Sequence, residues 1–141
     1  MDRRNVLLGN PYEEIVGFSR AVRVGPFVSV GGTAPIGEDG QTVGVGDIEA
    51  QTRRCFEIIE DALDRADAKL SDVVRTRMFL TRIEDFETVA MVRKEFVGEF
   101  KPVDTIMQIS RFVDPDWLIE VEVDAIIPDK QPTPHGEGNT G

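Results

Sequence analysis

Residues 118–127, LIEVEVDAII, alternate more cleanly than any other stretch of the chain. Ile119, Val121, Val123, Ala125 and Ile127 share one face, while Glu120, Glu122 and Asp124 share the other. Successive side chains of a strand point to opposite faces, so this pattern requires a strand with one side against a core. Pro128 cannot donate to the ladder and stops it.

Two helical stretches can cover the apolar face. Ile48, Thr52, Cys55, Phe56, Ile59, Ala62, Leu63 and Ala66 recur at three- and four-residue steps, with Asp47 placed as N-cap. A second helix is predicted over about 84–97, with Phe86, Val89, Val92 or Arg93, and Phe96 inward. Asp67 follows the first helix at a position that favours a left-handed backbone, which aspartate tolerates better than most residues.

The other strands are shorter. Residues 18–31 read as two strands broken at Gly25-Pro26, and residues 102–110 as one more. Residues 71–81 place Val74, Thr76, Met78 and Leu80 on one face and Arg75, Arg77 and Phe79 on the other. Ile36 to Gly46 is a glycine-rich loop, and Asp114-Pro115 can open a short helical turn. The order β-β-α-β-α-β-β is that of an α+β fold, two helices on one face of a mostly antiparallel sheet. Residues 1–127 form a single domain in this reading, and the Pro- and Gly-rich residues 128–141 a disordered tail.

Composition excludes several functions. The formal charge of −10 opposes nucleic-acid binding, which needs a basic surface. One cysteine excludes an internal disulfide, no apolar run is long enough to span a bilayer, and Val6-Leu7-Leu8 is too short for a signal-peptide core. A soluble, cytoplasmic protein is expected. Cys55 lies on the inner stripe of its helix and reads as core. His135 is the sole histidine, so neither a zinc site nor a Cys–His pair is expected. Gly37, Gly40, Gly44 and Gly46 lack the Lys-Ser/Thr of a phosphate loop. Trp117 reads as packing.

The charged face of the sheet carries Arg75, Arg77 and Phe79 on one strand and Glu120, Glu122 and Asp124 on another. It is either a solvated face or one whose charges compensate across an interface between copies.

Several segments carry a resemblance. Gly17-Phe18-Ser19-Arg20-Ala21-Val22, residues 27–35 (FVSVGGTAP), residues 47–53 (DIEAQTR), residues 72–81 (DVVRTRMFLT) and residues 118–123 (LIEVEV) occur in the order and spacing of the Rid/YjgF, or reactive-intermediate deaminase, family. The chain resembles that family over residues 17–127. The resemblance implies a chorismate-mutase-like fold, and a homotrimer whose three sheets form a barrel with ligand clefts at the subunit boundaries. It also implies hydrolysis of reactive enamines and imines to 2-keto acids and ammonia, with no cofactor or metal. An arginine would clamp the substrate carboxylate, backbone groups orient the imine, and a glutamate position the water.

Carried over residue by residue, Glu120 falls on the water-positioning glutamate, and Gly31, Gly32 and Thr33 on the loop that supplies backbone contacts. Phe18 stands where a tyrosine is usual and Ala90 where an asparagine is usual. Asp104 stands where deaminating members place the arginine. A carboxylate there would repel a substrate carboxylate by about 1 to 4 kcal/mol. Arg20 and Arg77 are the substitutes considered, against their reading as partners of acidic residues. Asp104 and Glu120 could form a carboxylate pair, hold a cationic or hydroxylated ligand, or be separated, with Asp104 paired to an arginine. Two functions stay open: a hydrolase or deaminase of altered specificity, and a non-catalytic metabolite-binding module. A ribonuclease, which relatives have been called, ranks last on charge.

Overall fold

In a computed structural model, residues 2–129 are described, and both the expected tail beyond Asp129 and His135 lie outside them. Six strands form one sheet: β1 (Arg3–Val6), β2 (Ala21–Val24), β3 (Phe27–Thr33), β4 (Val73–Leu80), β5 (Val103–Gln108) and β6 (Ile119–Ile126). Their order is β1-β2-β3-β6-β4-β5, antiparallel throughout except for the parallel β4–β5 pair. Helices α2 (Ile48–Arg65) and α3 (Phe86–Val97) pack together and close the core, which the expected two-helix layer anticipates.

The expected patterns of β6 and α2 hold. Ile119, Val121, Val123 and Ala125 are buried, and so are Cys55, Phe56, Ile59, Ala62 and Leu63. Asp47 caps α2 by accepting from the Ala50 amide at 3.0 Å, and Asp67 takes φ +62° beyond its end. Gly25 at φ +58° closes the β2–β3 hairpin, where glycine carries no Cβ penalty.

Four features differ from expectation. The strand β1 and a short helix α1 (Pro11–Val16) precede the first predicted strand. Along β1 only Val6 is buried, so no alternation marks it. On β4 it is Val73, not Val74, that faces the core. Val73 pairs with Ala125 and Arg75 with Asp124, so Val74 is an extra residue in a bulge and is exposed. Phe86, expected inward, is exposed at the first position of α3, where Val89, Val92 and Val97 fill the core instead. Residues 114–117 form a turn rather than a helical turn: the Asp114 carbonyl accepts from Trp117 and its carboxylate from the Asp116 amide at 2.8 Å.

Candidate functional site at the Gly31-Gly32 bulge

The antiparallel pairing of β3 with β6 slips between Val30 and Thr33. Gly31 and Gly32 occupy the slip, and Glu120 on β6 lies against it. A Cβ built on Gly32 would stand 2.6 Å from Glu120 Oε1. Glycine is therefore what allows the carboxylate to lie over the strand. Burial pushes the Glu120 carboxyl above the ordinary carboxylate range, Arg20 pulls it back, and Glu122 adds to the rise. Such a group holds a proton more readily than a surface glutamate.

Arg20 fixes the bulge from beneath. Its side chain is buried, and Nη1 donates to the Gly32 carbonyl at 2.6 Å, to Thr33 Oγ1 at 2.9 Å and to the Gly31 carbonyl at 3.3 Å. Thr33 Oγ1 donates back to the Gly31 carbonyl at 2.7 Å, and the Gly31 amide donates to the Arg20 carbonyl. The guanidinium also lies 5.2 Å over the Phe18 ring. Burial lowers the Arg20 pKa, opposed by Glu13 and Glu120. Phe18, Gly31, Gly32 and Thr33 are thus gathered by one arginine that composition alone did not assign, and Glu120 lies against the bulge they form.

Asp104 and Ala90 belong elsewhere. Strand register puts Asp104 beside Thr76, on the helix-facing side of the sheet, whereas Glu120 stands beside Phe79 on the opposite face. Within one chain the two carboxylates are therefore not paired. Asp104 Oδ1 accepts from Thr76 Oγ1 at 2.6 Å and lies 3.4 Å from Arg93 Nε. Arg93, reaching from α3, also donates to Thr76 Oγ1 and to the Pro102 carbonyl, each at 2.8 Å. Ala90 sits one turn earlier on α3. Arg93 is the partner that the sequence reading left unassigned. Its place at an a/d-like step of α3 put it in competition with Val92 for the core.

Arg77 does not reach for the bulge. Its Nη1 meets Asp124 at 3.2 Å and Glu122 at 3.5 Å, so its reading as a partner of the acidic strand holds. Cys55 is fully buried, burial pushes its thiol up, and its reading as core holds. Trp117 packs edge-on against Tyr12, with ring centroids 5.8 Å apart, and donates to Thr42 Oγ1 at 3.2 Å. Among the described residues no three His, Cys, Asp or Glu side chains converge to hold a metal ion.

Residues 10–127 match the family model described as Endoribonuclease L-PSP. The chain belongs to this family, which includes the YjgF and RutC proteins. A crystal structure of a YjgF/YER057c/UK114 family member from Mycobacterium tuberculosis superposes with a TM-score of 0.81 at 40% identity, covering 89% of this chain and 100% of that one. A RutC family protein of Pyrococcus abyssi is 38% identical over 74% of this chain and 82% of its own length. The 3-aminoacrylate deaminase RutC of Acinetobacter baylyi is 35% identical over 72% of this chain and 79% of its own. The Rid/YjgF resemblance read from the sequence is therefore correct, and so is the fold it implied. No described helix is long and apolar enough to cross a membrane.

Proposed function

We propose that this protein hydrolyses small enamines or imines in clefts between the subunits of a homotrimer, with Glu120 handling water and protons. The observation that carries this reading is the Glu120 carboxylate, half-buried over Gly32 with its pKa raised. Water adds to the imine carbon as Glu120 takes its proton. The carboxyl returns that proton to nitrogen, giving a carbinolamine, and then carries the hydroxyl proton to the amine as the C–N bond breaks, leaving a carbonyl and ammonia. Gly31 is exposed beside it, which leaves room for an imine over the bulge. The 3-aminoacrylate deaminase among the relatives acts on an enamine, which supports this reaction class.

The Asp104 region forms the other half of the cleft, contributed by the neighbouring copy. That arrangement accounts for two sets of site residues on opposite faces of one chain's sheet. Arg93 neutralises Asp104 and leaves no net positive charge for a substrate carboxylate. The preferred substrate therefore carries an uncharged or hydroxylated group at that end, rather than the carboxylate of a 2-imino acid. A ribonuclease reading of the family's descriptive name is disfavoured by 26 acidic against 16 basic residues.

An oxidase assay tests this. An amine oxidase generates imines without a carboxylate, an amino-acid oxidase generates 2-imino acids, and loss of each is followed with the protein present. Acceleration is expected for the first, cut by about 100-fold in Glu120→Ala. Asp104→Arg is expected to gain activity on the second. No acceleration of either imine, with ligands that raise the melting temperature unconsumed, would replace this reading with a non-catalytic binding module.

A further inference from the structure

We propose that the cleft between α2 and the loop of residues 34–40 binds a small monocarboxylate, anchored on Arg20. The cleft holds about 620 Å³ and shares only Arg20 and Thr33 with the bulge site. Ala34, Ile36 and Ile58 give it apolar walls. Three arginines line it, and two are already matched by carboxylates one turn away on α2. Arg54 lies 3.6 Å from Glu57, and Arg65 lies 3.2 Å from Asp61.

Arg20 differs from both. It is 4% exposed, and among the described residues no carboxylate comes within 4.0 Å of it. Its Nη1 is occupied by the bulge, whereas Nε and Nη2 have no hydrogen-bond partner among the described residues. Those two nitrogens present parallel N–H groups, the fork that matches the two oxygens of a carboxylate. A buried cation with the N–H groups of two of its three nitrogens unmet is costly, and a bound anion relieves that cost.

The surrounding charges set the ligand's size and charge. Glu38 lines the cleft and has no cationic partner within 4.0 Å among the described residues. Glu13 also acts on Arg20, and its own oxygens accept from the Leu8 and Gly9 amides at 3.0 Å. The lining also carries Glu57 and Asp61, so a doubly charged phosphate is disfavoured against a monocarboxylate whose short apolar tail lies against Ile58. The guanidinium that would hold it also holds the Gly31 and Gly32 carbonyls, so occupancy and the order of the bulge are linked.

Titration with propionate and with its neutral isostere propionamide, followed by NMR at the Arg20 Nε–H and the amides of Ala34, Gly37 and Gly40, tests the site. Propionate is expected to shift these signals saturably, and propionamide to bind at least about tenfold more weakly. Ile58→Glu places a like charge in the cleft without touching the bulge and should weaken propionate about tenfold, with Ile58→Gln close to the unmodified protein. Glu120→Gln should retain binding, which separates this cleft from the bulge site and from the proposed hydrolysis. Equal affinity for both probes, no effect of Ile58→Glu, no saturable shift, or shifts centred on Gly32 and lost in Glu120→Gln would each overturn the proposal.

Discussion

Arg20 and Arg93 are both guanidiniums drawn out of water, and the chain satisfies them by different means. Arg93 meets a carboxylate, a hydroxyl and a carbonyl, in a cluster whose charge sums to zero. Arg20 meets two carbonyls and a hydroxyl and keeps its charge. A neutralised pair serves as a structural joint between α3 and β5. An uncompensated cation instead projects a field, and Glu120 titrates within it. The two arginines therefore mark where this chain has closed its chemistry and where it has left chemistry available.

Breaking the contacts of each arginine separates the two cases. Arg20→Met should cost about 3 kcal/mol in urea unfolding, because two bulge carbonyls lose a charged donor. Asp104→Ala should cost about 1 to 2 kcal/mol, since Arg93 is left mostly buried and unpaired. A double-mutant cycle of Asp104→Ala with Arg93→Met should then return about 1 kcal/mol of coupling. The corresponding cycle of Glu120 with Arg20 should return less than about 0.5 kcal/mol, because no direct contact joins them. Equal coupling in both cycles would erase the distinction.

Smaller changes sharpen the comparison at the bulge. In Gly32→Ala the new methyl must displace the end of the Glu120 side chain, so turnover should fall about 100-fold while stability moves by less than about 1 kcal/mol. The smallest expected effect is in Glu120→Gln. Glu120 has a folded-state pKa raised above its unfolded value, so its favourable contribution is complete below the unfolded pKa and is lost as pH rises through the folded pKa. The glutamine variant should therefore gain on the unmodified protein in melting temperature across that window, and the difference should stay flat at neutral pH. A gap that instead widens as the pH falls would reverse the sign assigned to Glu120.

The fold was legible wherever burial is periodic. α2 and β6 each carry an unbroken apolar stripe, and the structure follows both. β1 was not, because a four-residue strand with one buried side chain has no period to read. α1 did have signals. Asn10 accepts from the Tyr12 amide, Pro11 takes the first turn and Gly17 ends the helix at φ +87°, but its one buried side chain is Glu13, so hydrophobicity gave no warning. The Val74 bulge was hidden because Val73 and Val74 are chemically alike, and only pairing with β6 decides which of them faces inward. The bulge site was legible through Gly31-Gly32 and Glu120, while the roles of Arg20 and Arg93 depended on contacts between elements far apart in the chain.

Gln51 is fully buried at the end of the first turn of α2, and its side chain makes three bonds. Its Nε2 donates to the Gly44 and Asp116 carbonyls, and its Oε1 accepts from the Leu118 amide at 2.8 Å. One amide thus joins the glycine-rich loop, the start of α2 and the residues that lead into Glu120. For hydrogen exchange this makes the three segments a single cooperative unit, so the Leu118 amide should exchange at the rate of the α2 N-terminus rather than at that of the turn in which it lies.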